Sequence, residues 1–225
     1  MATEKIAIIL GATGLTGSLL LKKLIKDDRY KTIKLFSRSA TTISDPKIEE
    51  HIVDLLNLEL SNTDFTADEV YCCIGTTKSK TPNKSTYKAI DYGIPMAAAT
   101  LSKANNINTF IVISALGANP KSKLFYNRIK GKMEKDVLKI NILNTYILQP
   151  SLISGKREEK RAGEWFFKQL MKALNYIMVG PLKKYQSVAP EKIATTMVYL
   201  ANNNFPSGRI KNDKIKQIAE TNDRD

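Results

Sequence analysis

KIAIILGATGLTGSLLLKKLI, residues 5 to 25, decides the fold class by the order of its parts. Residues 5 to 10 form an apolar run of strand length, Gly11 to Gly17 form a glycine-rich turn, and the residues from Leu15 repeat apolar positions at helical spacing. In this G-x-x-G-x-x-G spacing, Gly11 permits a tight turn, Gly14 lets backbone approach a ligand, and Gly17 lets the helix pack closely on a sheet. The helix N-terminus that follows offers unpaired N–H groups and the positive end of a helix dipole, which suits the pyrophosphate of a dinucleotide. The same glycines would also serve a strand-to-helix turn that binds nothing.

The alternation continues along the chain. Apolar runs at 32–36, 51–55, 69–74, 109–114 and 145–149 are separated by helix patterns at about 14–27, 84–105 and 123–140. Strands this continuously apolar belong in a sheet covered on both faces. Repeated β-α-β order predicts an α/β fold, a doubly wound parallel sheet with ligands at the carboxyl ends of its strands. Residues 1–225 are expected to form one domain, with 151–225 contributing a small helical substrate-side region. Helix patterns begin at Trp165 and at about residue 190, and the polar tail is expected to fray. Trp165, Phe166, Leu170 and Leu174 share a helical face that reads as core or as the roof of a pocket.

Composition narrows the function. A chain of 225 residues, 43% hydrophobic, can bury a sizeable core. Its net charge of +13 comes from scattered lysines without a nucleic-acid-binding motif, so a solvated basic surface is expected and no nucleic acid partner. No run approaches the ~20 apolar residues of a membrane span, and no cleavable signal pattern precedes the first glycines; a cytoplasmic protein without a membrane partner is expected. Cys72 and Cys73 are adjacent, so on a strand they point to opposite faces and form no ordinary disulfide. With His51 the only histidine, a His-rich metal site is excluded and no metal is expected.

The remaining motifs carry chemistry. The second strand ends in LFSRS, offering Ser37 and Arg38 with no acid before Asp45. An arginine fork there can pair with a 2′-phosphate, which favours NADP(H) over NAD(H), although a solvated loop residue would look the same. Asp54 could accept from an adenine amine or cap the turn that follows it. Ser114 ends the fifth strand in ISALGA, and Tyr126 and Lys130 lie four apart on the next helix. A lysine ammonium beside a phenol lowers its pKa from about 10, and a serine hydroxyl can bind a carbonyl oxygen.

These residues resemble the short-chain dehydrogenase/reductase superfamily, in its atypical branch around the Tat-interacting oxidoreductase-like proteins. The resemblance spans about residues 5 to 200 and rests on GATGLTG, YCCIGTTKSK, VISALGA, YNRIK, LQPSLISGKREEKR and AGEWF. It implies an NADP(H)-binding Rossmann domain whose phosphate loop is Gly11, Thr13, Gly14, Leu15 and Thr16. Ser37 and Arg38 match the 2′-phosphate position, and Asp54 and Leu55 the adenine contact. Cys73, Ile74, Gly75 and Thr76 match the loop beneath the ribose, and Pro150, Ser151 and Leu152 the stretch closing over the nicotinamide. Lys130 would also hold the nicotinamide ribose. The sequence departs from the superfamily at AIDYGIP, where Asp91 stands in place of a relay asparagine, and at Gln149, where arginine often precedes the proline. The function implied is an oxidoreductase passing hydride between NADP(H) and a small carbonyl or alcohol, with catalytic residues Ser114, Tyr126 and Lys130. The alternative is an NADPH-binding regulatory or interaction module with a vestigial triad.

Overall fold

The computed structural model describes residues 4–154 and 185–222. Seven strands form one parallel sheet: β1 (Lys5–Leu10), β2 (Tyr30–Ser37), β3 (Ile48–Ile52), β4 (Glu69–Cys72), β5 (Thr109–Ile113), β6 (Asn144–Gln149) and β7 (Gly208–Lys211). Their order is β3-β2-β1-β4-β5-β6-β7, so the direction of winding reverses between β1 and β4. Ligands of doubly wound sheets bind in the crevice that opens at such a reversal.

Each face of the sheet is covered. Helix α1 (Leu15–Ile25) packs on one face with α5 (Pro190–Asn202) and α6 (Asn212–Asn222), around Leu20, Leu24, Ile193, Met197 and Ile215. The opposite face carries a 3₁₀ turn (Leu55–Ser61), α3 (Ile94–Ala104) and α4 (Phe125–Lys139), around Phe65, Ala98, Met133 and Val137. Cys72 joins this second core while Cys73 packs against the first, the opposite-face placement that adjacent strand residues require. Both are free thiols, and burial pushes Cys72 up to about 11.

The expected helix at 84–105 exists but is not uniform. α2 (Lys84–Lys88), capped by the Asn83 side chain, passes into a π turn at Ala89–Gly93 before α3 begins. Pro95 has no N–H to return to the carbonyl of Asp91 and its ring crowds that carbonyl, so the turn before it widens. The third strand is shifted upstream of the apolar run 51–55, because the edge strand Ile48–Ile52 turns Glu49 and Glu50 to solvent and so hides its pattern. β7 was not expected at all. The tail expected to fray instead forms α6, with Ile215, Ile218 and Ala219 buried, so part of the C-terminal stretch completes the sheet and its cover. The Trp165, Phe166, Leu170 and Leu174 stripe lies outside the described residues. Among the described residues no helix is long and apolar enough to cross a membrane.

At the amino ends of the strands, Glu69 is buried and accepts from the hydroxyls of Tyr30 and Tyr71, each at 2.5 Å, and pairs with Lys5 Nζ at 3.1 Å. Asn202 Nδ2 donates to Tyr30 Oη at 2.6 Å and Lys5 Nζ to the Ala201 carbonyl, tying α5 to the sheet. Glu69→Leu would take from two buried phenols the carboxylate that accepts from both, and leave Lys5 with neutral acceptors only. It is expected to cost about 3 kcal/mol, read as a lower midpoint in urea unfolding with an unchanged slope.

Candidate active site

At the carboxyl end of β1 the backbone turns sharply through Gly11, whose φ of +85° favours glycine. A side-chain carbon on Gly17 would fall 2.1 Å from the Gly11 carbonyl oxygen, so the helix approaches the turn as closely as the third glycine allows. A Cβ on Gly14, the residue capping α1, would meet the same oxygen at 3.2 Å. Thr13 and Gly14 are exposed, Leu15 is half-buried and Thr16 is buried in the first turn. The loop after β4 lies alongside: Cys73 N–H donates to the Leu10 carbonyl at 2.9 Å, and a Cβ on Gly11 would meet the Cys73 carbonyl carbon at 3.2 Å. A strand, a tight glycine turn and a helix N-terminus in this order form the kind of cradle that takes a dinucleotide pyrophosphate.

The adenosine side differs in detail from expectation. Arg38 is exposed and, with Ile52, Val53 and Asp54, lines a surface concavity. Ser37 is buried, and its hydroxyl donates to the Ser39 carbonyl at 2.7 Å, which holds the loop rather than offering a donor outward. Asp54 caps the 3₁₀ turn, accepting from Leu56 N–H at 3.0 Å and Asn57 Nδ2 at 2.7 Å. Leu55 is buried in the core, so a contact with the adenine would come from its backbone. The lone His51 stacks on Phe36 with ring centroids 4.6 Å apart and takes no part in the site.

The opposite side gathers around α4. Lys130 is buried, its Nζ 2.9 Å from Asp91 Oδ1 and 3.3 Å from the Ile113 carbonyl oxygen to which it donates. The π turn delivers Asp91, also buried, whose other oxygen accepts from the Thr76 N–H at 2.9 Å. Gly75 lies directly over the pair: a Cβ there would sit 3.6 Å from Asp91 Oδ1 and 3.8 Å from Lys130 Nζ. Burial opposes the charge on Lys130, but the Asp91 carboxylate, with Tyr126 next, outweighs it and raises the ammonium above its ordinary 10.5.

Tyr126 stands on the first turn of α4, 41% exposed, with its ring edge-on to Tyr87 at 6.5 Å. Tyr87, which sequence reasoning passed over, donates to the Thr76 carbonyl and packs edge-on against Phe125 at 5.6 Å, so it joins the loop after β4 to the start of α4. Gly131 was missed as well. Its Cβ would fall 2.2 Å from the Asn119 carbonyl carbon, so only glycine lets α4 settle against the loop that connects it to β5.

Ser114 lies buried at the end of β5, and its hydroxyl donates to Glu134 Oε1 at 2.5 Å. Gln149 Nε2 donates to both oxygens of Glu134, at 2.9 and 3.0 Å, and Arg209 Nε on β7 donates to Oε2 at 2.6 Å. Beyond β6, Pro150 accepts from Leu116 N–H, Ser151 is held by Asn212 and the Gln186 carbonyl, and Leu152 is 47% exposed. Asn212, fully buried, and Glu134 gave no signal in the sequence beyond Glu134 lying four residues after Lys130 on the same helical face. The glycine loop, the Cys73–Thr76 loop, Lys130, Ser114 and Pro150–Leu152 thus meet along one sheet edge. Among the described residues no group of His, Cys, Asp or Glu could hold a metal ion.

A family model described as NAD(P)H-binding matches residues 11–204. The chain is 30% identical to the mitochondrial protein FMP52 of Debaryomyces hansenii, over 90% of each chain, and 28% identical to protein HTATIP2 of Rattus norvegicus, over 76% of this chain and 72% of that one. In fold it is similar to the Bordetella bronchiseptica enzyme WbmH, solved in complex with NAD+, with a TM-score of 0.71, 15% identity and coverage of 92% and 75% of the two chains. The cytoplasmic expectation is corrected by the relatives' names, since FMP52 proteins from several yeasts are named mitochondrial.

Removing the partner of Lys130 tests the buried pair. Asp91→Asn keeps the Thr76 contact but leaves the ammonium without a countercharge, and is expected to cost about 3 kcal/mol near neutral pH. Because Lys130 titrates higher in the folded protein than in the unfolded chain, its pairing stabilises fully below about 10.5 and is lost as pH rises through the raised value. Urea unfolding should therefore show a deficit for the variant that is largest near neutral pH and narrows as pH rises, because burial makes the unpaired Lys130 give up its proton in the folded variant before the wild-type pair does.

Proposed function

Since the chain belongs to the NAD(P)H-binding family, in the atypical short-chain dehydrogenase branch with FMP52 and HTATIP2, we propose that it is an NADP(H)-dependent oxidoreductase acting on a small carbonyl or alcohol. The observation that carries this reading is the buried, charged Lys130 set under Gly75, with Tyr126 one helical turn away on the sheet edge where the glycine loop opens. The N–H groups of the Gly11–Thr16 turn would hold the pyrophosphate, Arg38 the 2′-phosphate, the Cys73–Thr76 backbone and Lys130 the riboses, and Pro150–Leu152 would close over the nicotinamide. When bound, the cofactor supplies or accepts the hydride. Tyr126 gives its proton to the carbonyl oxygen in reduction and takes it back from the alcohol in oxidation, and Lys130 stabilises the phenolate left behind. The substrate is a small molecule, and no nucleic acid or membrane takes part.

Arg38 decides between the cofactors in this reading. Arg38→Ala is expected to weaken NADPH binding by about 1.5 to 3 kcal/mol and to leave NADH binding nearly unchanged, measured by calorimetric titration. Equal losses would remove Arg38 from the site.

Tyr126 and Lys130 separate chemistry from binding. Tyr126→Phe should keep NADPH affinity while abolishing reduction across a panel of small aldehydes and ketones, whereas Lys130→Met should damage both. A Tyr126→Phe protein that turns over at the wild-type rate rules out this proton donor. Tight NADPH binding by wild type with no turnover on any carbonyl would favour the regulatory module instead.

A further inference from the structure

Three donors converge on Glu134 from three neighbouring strands: Ser114 just after β5, Gln149 at the end of β6 and Arg209 within β7. Glu134 is 1% exposed and stands on α4 one turn below Lys130 and two below Tyr126. The carboxylate accepts four hydrogen bonds in all, which occupies both of its oxygens. A serine has one proton to donate, and here it points at Glu134.

We propose that Glu134 is a positioning residue, whose carboxylate accepts the hydrogen bond of the Ser114 hydroxyl and so makes this serine a pin between β5 and α4 instead of a donor to the substrate. In this arrangement Tyr126 gives its proton to the reacting oxygen without a hydrogen bond from Ser114 to the same atom. The energetics favour this state. A hydrogen bond to a carboxylate is roughly twice as strong as one between neutral groups, so turning Ser114 toward a neutral carbonyl exchanges a strong bond for a weak one. It would also withdraw one of the donors that match a buried charge, in a place where an unmet carboxylate oxygen is costly. Gln149 and Arg209 complete the arrangement. The amide at Gln149 supplies two hydrogen bonds without charge, and Arg209, from a strand unseen in the sequence, supplies the countercharge through Nε. Because the donors belong to three strands and the acceptor rides on α4, the cluster sets the height of that helix, and with it Tyr126 and Lys130, against the sheet.

This inference rests on the oxidoreductase reading for its kinetic test and on the folded protein alone for its structural test. In the kinetic test, Ser114→Ala, Glu134→Gln and the double variant are assayed with NADPH and whichever ketone or aldehyde of the panel wild type reduces best. Each single variant is expected to lower kcat/KM about tenfold, and the double variant to match Glu134→Gln within about twofold, because the serine acts through the glutamate. Losses that multiply to about a hundredfold mean that Ser114 meets the substrate independently, which overturns the proposal. Arg209→Met, at a half-exposed position, should lower kcat more than it changes the KM for the carbonyl, and Arg209→Lys should lose less. Equal loss in both would overturn the role given to the charge. In the structural test, the Ser114 hydroxyl proton of the substrate-free wild-type protein should exchange slowly enough to give its own proton NMR resonance, absent from Ser114→Ala. If that resonance is missing from wild type, the pin is wrong whatever the activity. If it is present while no carbonyl is reduced, the pin stands and the oxidoreductase reading fails.

Discussion

A buried ammonium must be matched by a buried carboxylate, and the pair made by Lys130 and Asp91 is the constraint around which this site is built. Lys130 reaches the pair from α4 and Asp91 from the π turn between α2 and α3, while the Thr76 N–H binds the other oxygen of Asp91 from the loop after β4. One contact therefore ties two helices and a loop to the end of β5, where the Ile113 carbonyl takes a further bond from the lysine. The glycine above it is small for the same reason: Gly75 leaves the charged pair close to the surface of the crevice without a side chain in the way. The π turn is part of this device, since the wider turn ahead of Pro95 is the segment that carries Asp91 inward.

The two ends of the sheet carry buried polar clusters of similar construction and different consequence. At the amino ends, Glu69 gathers Tyr30, Tyr71 and Lys5, far from the crevice where ligands of such sheets bind, and its effect is on stability. Burial and the adjacent Glu69 hold both phenols well above their ordinary range, so they stay protonated donors at any working pH. Toward the carboxyl ends, Glu134, on the helix that bears Tyr126, gathers Ser114, Gln149 and Arg209. There the same physics reaches the site, because a donor committed to a carboxylate is withdrawn from a ligand.

The C-terminal part of the chain enters through the same cluster. β7 adds a parallel strand beside β6 and places Arg209 on the α4 face, while Asn212 at the start of α6 holds Ser151 N–H and the Gln186 carbonyl. The Pro150–Leu152 stretch, proposed to close over the nicotinamide, is thus braced by a residue 61 positions away in sequence.

What the sequence determined by itself is what local pattern can encode. Apolar runs of strand length, helical periodicity and the glycine spacing of residues 11 to 17 lead to a parallel doubly wound sheet and a dinucleotide turn, because strand, turn and helix are decided within a few residues of one another. The spacing of Tyr126 and Lys130 was legible for the same reason, being a property of one helix. Tertiary structure alone decided where the charges and protons go. Asp91 faces Lys130 only because a π turn carries it inward, Ser114 turns to Glu134 only because β5 and α4 pack together, and Arg209 reaches the cluster only because a short strand with alternating exposure joins the sheet edge. Buried polar partners are chosen by proximity across the folded chain, where an unmatched group is costly, and that cost leaves no periodic trace in the sequence.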